Sequence, residues 1–526
     1  MNKIKFYTVI ASLVVMPLVE ASVVGQEVIS DLKARSFDAK MSVWSVTQLG
    51  NNMDQIGIYQ VPYFNGQQTL VTPVNDNLSP AKAFATQYQA LIASAEKSVD
   101  IASLDSQPGL TLDAIRDGLT QLDQKNKPIE IRLMFGNIMG AANYITANNP
   151  LSARKTIGYI TSKLKKDSKL VVYVGVYRAG YSYRSWNHAK ILVVDSQNIL
   201  TGGVNFLDSG YASDLNPVND LSLYYPNMNL GLPANKFLDN EWNYLCSYKN
   251  DTSISGYFNR GWSNAASGSI QMETWKNGQV IDENCPADLG NKYNFSSNHE
   301  NEADPSLNYA ISTARLGAVA NWKQDTSDIA QISMIEHANS YVKISQQAVY
   351  YSTLAKIDKA GGYEVFPINV LKALCSAMSR GVSVSLMTSG ENGQPGIYPS
   401  SLSWPKSPVF PSYSTKEQLK GYLVKVGGCN SLDVENPEKL QIRVNSNKQN
   451  LSANLSDYRY FPNHSKVVIV DSKNQETGKV DGKLVYVGSH NTYDQSHAEY
   501  GVIVDSNDFV SRFEQQFWDY NWNSAK

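Results

Sequence analysis

The chain carries one pattern twice, and this repeat restricts its fold more than any other feature. Asn187-His188-Ala189-Lys190 matches Asn463-His464-Ser465-Lys466, and Gly202-Gly203-Val204-Asn205 matches Gly488-Ser489-His490-Asn491. Upstream, Ile92–Ile101 resembles Ile335–Ile344, and Ile129–Met134 resembles Val382–Met387. Downstream, Phe237 and Trp242 match Phe513 and Trp518. The order of the matches is kept while their spacing drifts, as loop insertions and deletions in a duplicated unit produce. In each copy an amphipathic helix end runs into an alternating strand. The alternation of helix and strand predicts an α/β sandwich around a mixed or parallel sheet in each half.

A length of 526 residues is too great for one ordinary core. The division expected is a first half over 22–260, a linker over 261–310 and a second half over 311–526. The linker assignment rests on the stretch from about Lys249 to Asn308, which is rich in Asn, Ser, Gly and Asp and lacks a clear period. At 42% hydrophobic and 18% charged residues the chain is globular. A net charge of −2 and no long basic run argue against non-specific nucleic-acid binding, so no nucleic-acid partner is expected.

The first 21 residues read as a signal peptide. Lys3 and Lys5 precede the apolar run Phe6–Leu18, and Val19-Glu20-Ala21 fits cleavage between Ala21 and Ser22. The run is shorter than the roughly 20 residues a membrane-spanning helix needs. A secreted protein is expected, with the periplasm as the alternative destination and an uncleaved anchor as the alternative to cleavage. Cys246, Cys285, Cys375 and Cys429 make an even count, which in an exported chain suggests two disulfides. Three connectivities are open. Cys246–Cys285 and Cys375–Cys429 is favoured because each pair stays within one half. No Cys-x-x-Cys spacing points to a metal.

A single His-x-Lys is weak evidence: with 6 His and 46 Lys plus Arg, about half an occurrence arises by chance. Two extended copies, His188-x-Lys190-x4-Asp195 and His464-x-Lys466-x4-Asp471, each followed by Gly-Gly/Ser-x-Asn, are a strong signal. Ala189–Val194 and Val467–Val470 read as central strands, apolar on both faces. Gly202, Gly203, Gly488 and Ser489 are expected to end a second strand and admit close backbone approach. That would set the Asn205 and Asn491 amides beside the His–Lys pairs.

These residues suit a phosphodiester. One imidazole attacks phosphorus and the second protonates the departing alcohol, while two ammonium groups and two amides hold the phosphoryl oxygens. Neither metal nor cofactor is called for. Asp220 and Glu499, which follow the respective Asn by 15 and 8 residues, are the candidates to orient the imidazoles through Nδ1, with Glu499 expected to bear on His464. Asp195 and Asp471 are expected to act as strand-end turns or caps. His299, His337, His490 and His497 belong to no repeat and are expected at the surface or in local hydrogen bonds. The aromatics before each motif (Tyr177, Tyr181, Tyr183 and Trp186; Tyr458, Tyr460 and Phe461) fit either a lipid cleft or ordinary packing.

At these residues the chain resembles the phospholipase D superfamily, whose mark is the duplicated H-x-K-x4-D motif, and within it the secreted bacterial phospholipases D. Ser185-Trp186-Asn187-His188, Pro217-Val218-x-Asp220, Phe237-Leu238-Asp239 with Trp242, Ile344-Ser345-Gln346-Gln347 and Tyr500-Gly501-x-Ile503-Val504 carry the closer likeness. The resemblance implies a monomer of two α/β halves related by pseudo-twofold symmetry, with one active site at their interface. It implies hydrolysis of phosphatidylcholine and related lipids to phosphatidate at a membrane or vesicle surface, with transfer to alcohols. It also implies His188 as nucleophile, His464 as acid and then base, and Trp186 and Gln346 against the substrate. Two features depart from the pattern: Glu499 stands where the subgroup has Asp, and Asn474–Lys483 lengthens a hairpin. The competing expectations are a nuclease of the same superfamily, a phosphatidyltransferase such as a cardiolipin or phosphatidylserine synthase, and an inactive lipid-binding module.

Overall fold

The computed structural model describes residues 22–35, 43–50, 53–61, 80–136, 152–176, 187–206, 219–248, 271–281, 285–293, 308–316, 325–347, 349, 351–352, 364–365, 367–389, 416–445, 463–473, 480–492 and 497–525. Nineteen strands are described. In chain order they are β1 (Trp44–Gln48), β2 (Gly57–Val61), β3 (Ser98–Ser103), β4 (Glu130–Phe135), β5 (Val171–Val176), β6 (Ile191–Val194), β7 (Asn198–Gly202), β8 (Asp220–Tyr225), β9 (Gln271–Lys276) and β10 (Gln279–Ile281). The remainder are β11 (Tyr309–Arg315), β12 (Tyr341–Ser345), β13 (Tyr351–Ser352), β14 (Glu364–Val365), β15 (Ser383–Ser389), β16 (Leu440–Asn445), β17 (Val467–Lys473), β18 (Val480–Gly488) and β19 (Glu499–Asp505).

The duplication is written into the strand order. The nine-stranded sheet runs β2-β8-β7-β6-β3-β4-β5-β9-β10, and the eight-stranded sheet runs β1-β11-β19-β18-β17-β12-β15-β16. Aligned from β2 and β11, seven strands correspond in order and in direction. β3, β4 and β5 are parallel, as are β12, β15 and β16, and the remaining pairs in the aligned set are antiparallel. Both sheets are therefore mixed, and the chain has the α/β fold in two halves.

The two halves share a core. Ile191, Val193, Ile199, Leu221 and Leu223 of the first sheet belong to one buried cluster with Val467, Ile469, Val485, Val487, Val502 and Val504 of the second. The opposite faces of the same strands, through Leu192 and Val194 or Val468 and Val470, pack under the helices of their own half. This is why both motif strands are apolar on both faces: one face serves its own half and the other serves the interface. Each buried aliphatic side chain is worth roughly 1.5–3 kcal/mol, so this many across the interface join the halves into one body.

Two boundaries differ from the sequence expectation. The helix Val23–Arg35 and β1, placed in the first half by contiguity, belong to the second. Val24, Val28, Ile29 and Leu32 form an apolar stripe packed on Ala330, Met334 and Ile335 of the helix Thr326–His337, and β1 pairs with β11. The range 261–310 is also not wholly a connector. β9 and β10 extend the first sheet, with Trp275 opposite Val172 and Val280. Disulfides join Cys246 to Cys285 and Cys375 to Cys429, with Cα–Cα separations of 5.7 and 4.7 Å. They fit an oxidising compartment.

Candidate active site

The site starts with the residue before each histidine. The Asn187 amide donates to the carbonyls of Ser103 and Met134 at 3.0 and 3.1 Å, at the ends of the parallel strands β3 and β4. Asn463 does the same to Gln346 and Met387 at 3.0 and 3.1 Å, beyond β12 and at β15. Each Asn oxygen then accepts from the backbone of the residue two positions on, Ala189 or Ser465. These clamps fix the backbone on either side of His188 and His464. Sequence reasoning matched the two asparagines but gave them no task; their identity in both copies was the available signal.

The next contacts cross between halves. The His188 N–H donates to the Ala498 carbonyl at 2.8 Å, and the His464 N–H donates to the Asn219 carbonyl at 2.8 Å. Ala498 and Asn219 precede the two candidate carboxylates. Consequently His188 Nδ1 meets Glu499 at 2.8 Å, and His464 Nδ1 meets Asp220 at 2.6 Å. The expectation that Glu499 bears on His464 is corrected: the pairing is exchanged between the halves. β8 and β19 begin at the interface, so each strand's first residue lies against the opposite motif. Asn219 is secured there by Gln60 and Asn521, at 2.8 and 2.5 Å.

The remaining motif residues fall into distinct places. Lys190 and Lys466 are buried, and each ammonium donates to the carbonyl of the histidine two residues before it. Lys466 also lies 3.5 Å from Asp220. Gly202 and Gly488 end β7 and β18. Gly203 and Ser489 donate equivalent backbone bonds, to Leu221 at 2.7 Å and Tyr500 at 3.0 Å. A side chain at Gly203 would occupy the space of the Asp220 carboxylate. Asn205 and Asn491 are buried in the segments that follow. Asp195 accepts from the backbone of Glu96, Lys97 and Ser98 at 2.7–2.9 Å, which is a capping arrangement. Asp471 is buried within β17, opposite Tyr341 and Lys483. The Gln346 side chain is buried without a hydrogen-bond partner among the described residues. Trp186 and the other aromatics before the motifs lie outside the described residues, as does His299.

Two histidines left out of the motif are close to it. His497 is buried, and its ring centroid is 5.3 Å from that of His188. Its placement at the surface or in purely local bonding is therefore corrected. It precedes Glu499 by two residues, and the exchange of carboxylates carries it to His188. His490 is buried behind Glu499 and bonds across the fold to Ser327 at 2.7 Å and Asp328 at 2.8 Å, so its placement at the surface or in local bonding is corrected as well. Arg315 bridges these groups. It donates to Glu499 at 2.8 Å and to Asp328 at 2.7 and 3.1 Å, and it also contacts His490.

Burial sets the electrostatics. It is the first cause that pushes His188 well below the ordinary imidazole range, with Lys190 and His497 adding to it. His464 is pushed down to about 4 by burial and Lys466, against the opposing pull of Asp220. Both lysines are lowered by burial. Burial raises Glu499, and Arg315 is the main counterweight. In the neutral form that burial favours, an Nδ1–H directed at Glu499 places the His188 lone pair on Nε2.

Two sheets fused through a common core thus bring together a His–Lys pair from each half, with each histidine hydrogen-bonded by the other half's carboxylate. Residues 332–522 match the family described as cardiolipin synthase, PLD-like domain. A phospholipase D of Streptomyces antibioticus is 25% identical over 456 residues, covering 83% of this chain and 75% of that protein. The crystal structure of the phosphatidylserine synthase of Haemophilus influenzae Rd KW20 shares the fold, with a TM-score of 0.52 and 12% identity over 91% of this chain and 89% of that one. The chain is thus similar to phospholipase D-like proteins in sequence and in fold.

Proposed function

We propose that the protein is an exported phospholipase D that cleaves the head-group phosphodiester of glycerophospholipids such as phosphatidylcholine through a phosphohistidine. The observation that carries this reading is the exchanged pair of dyads, His188–Glu499 and His464–Asp220, each with a buried lysine beside it.

His188 Nε2 attacks phosphorus, forming a P–N bond as the P–O bond to the head group breaks. His464 supplies the proton to the departing oxygen. It then takes a proton from water, whose oxygen attacks phosphorus, breaks the P–N bond and releases phosphatidate. An alcohol in place of water gives the transfer product. Lys190, Lys466 and the amides of Asn205 and Asn491 hold the phosphoryl oxygens. A phosphodiester anion beside the lysines opposes their effect on His464 and draws its pKa up, which favours the protonated acid when substrate binds.

The division of roles follows an asymmetry of support. Arg315 shares the charge of Glu499, whereas Val61 occupies the matching register position opposite Asp220. Glu499 thus has an arginine as its second partner, whereas Asp220 shares its charge between His464 and Lys466 at 3.5 Å, so the two dyads are held unequally. In this reading the leader is removed after Ala21, and the mature chain works as a monomer at a lipid surface.

The test is head-group release from phosphatidylcholine vesicles with ethanol present. Phosphatidate together with phosphatidylethanol is expected. Cleavage of single-stranded DNA with no product from any phospholipid would overturn the lipid reading in favour of a nuclease. Chelation by EDTA is expected to leave turnover intact, because the positive charge comes from lysines.

A further inference from the structure

Ser22, the residue after the expected cleavage point, is fully buried in the second half. Its backbone nitrogen lies 3.3 Å from Asp505 Oδ2, and its hydroxyl donates to the same oxygen at 2.6 Å. The hydroxyl also accepts from the Gly25 N–H at 2.9 Å, capping the helix Val23–Arg35. Two glycines shape the place. A side chain at Gly482 would collide with Ser22, and one at Gly25 would collide with Asp505 and the Tyr309 hydroxyl. Asp505 is itself buried, at the end of β19.

We propose that hydrolysis of the Ala21–Ser22 bond creates an amino terminus that is a structural part of the enzyme, its α-ammonium ion-paired with Asp505. The inference rests on the reading that the leader is cut at this bond. A membrane-bound signal peptidase adds water across the amide: Ala21 leaves with the new carboxylate, and the Ser22 nitrogen takes up protons to become an ammonium. A single neutral N–H facing Asp505 becomes a cation with three donors. Hydrogen bonds with an ionised partner on each side are about twice as strong as neutral ones. The carboxylate also lies at the N-terminal end of the helix, where negative charge is favourable.

The consequence reaches the site through β19, which ends at Asp505 and begins at Glu499, the residue that orients His188. Before cleavage this strand is held less firmly, which suits a chain that must cross a membrane unfolded. After cleavage the terminus locks it.

The test compares three full-length mature proteins released from a fusion by a site-specific protease: one starting at Ser22, one starting at Ala21, and the Ser22 form carrying Asp505→Asn. The Ala21 form is expected to unfold about 2–5 °C lower, as the loss of a buried ion pair in a large chain implies. Its turnover at low temperature should stay within about twofold, since no group of the site is altered. Asp505→Asn should lower the Ser22 form and erase the benefit of starting there. Equal unfolding temperatures for the Ser22 and Ala21 forms overturn the ion pair, whether or not the Asp505 variant folds. The intact mass of the exported protein tests the cleavage separately. A start at Ser22 supports the proposal, and a start elsewhere removes its maturation step while the fusion-derived comparison still judges the ion pair.

Discussion

The two halves match strand for strand, yet the carboxylate each contributes is held differently. Asp220 sits at the start of β8 with Gly203 beneath it and Val61 across the strand pair. Glu499 sits at the matching start of β19 with Arg315 across from it, Asp328 and His490 behind Arg315, and His497 two residues before it. Because the carboxylates are exchanged, this additional polar apparatus of the second half serves the histidine of the first. A duplicated fold therefore supplies two similar dyads, and the surroundings of one carboxylate make them chemically unequal.

The largest expected effect comes from removing the histidines. His188→Ala should abolish turnover, a fall of at least about 10⁴-fold with the fold retained, because no other group takes the nucleophile's place. His464→Ala should be comparably inactive on phosphatidylcholine but recover partly on a p-nitrophenyl phosphodiester, whose leaving group needs no proton. Equal recovery of both variants would break the assignment of unequal roles. The measurement is steady-state turnover with the two leaving groups.

Next come the carboxylates, where a loss of about 10²–10⁴-fold is expected for either neutral variant. The exchange predicts which variant resembles which histidine. Asp220→Asn should respond to the p-nitrophenyl leaving group as His464→Ala does, and Glu499→Gln should not. Own-half pairing would give the reverse. This comparison reads the connection between halves through chemistry and is independent of the lipid.

Arg315 is expected to act as a positioning residue with a smaller effect. Glu499 faces Arg315 of β11, His490 after β18, Lys190 before β6, Asp328 at the start of the helix Thr326–His337, and His188 itself. Burial already raises Glu499, and Arg315 opposes that rise. Arg315→Met should therefore raise it further. Glu499 then takes up its proton at a higher pH, and the acid limb of kcat/KM moves upward. A fall in kcat of about 10–100-fold with KM little changed is expected, in line with the loss of a buried charge-assisted contact, with partial rescue by Arg315→Lys. A lower unfolding temperature with an unmoved acid limb would reduce Arg315 to a structural part.

How much of this was legible in the sequence depends on the range of the contact involved. The motif strands could be read because periodicity and apolarity are local, and Ala189–Val194 showed both. The repeat revealed the second half from the first. Contiguity failed for Val23–Arg35, whose apolar stripe fits either half until a partner helix is in place. It failed again for Glu499, because nothing local indicates that β8 and β19 begin at the interface and reach across it. His497 was passed over for the same reason: it repeats nothing, and it gains meaning only once its strand is known to serve the opposite motif. Arg315 carried no signal beyond being a charge at the end of an apolar strand, and its value comes from facing Glu499 in register.

The smallest expected effect tests whether His497 is part of this inequality. Its ring lies beside His188 and contributes to holding that imidazole neutral, after burial and Lys190. His497→Leu removes that contribution, so the pKa of His188 rises and its neutral, nucleophilic form is lost at a higher pH on acidification. The acid limb should shift upward, while activity at neutral pH should stay within about twofold, a change of at most roughly 0.4 kcal/mol. The same substitution should leave the p-nitrophenyl to choline rate ratio unchanged, because it bears on attack and not on departure. A changed ratio with a fixed acid limb would place His497 with the acid, on the His464 side of the comparison.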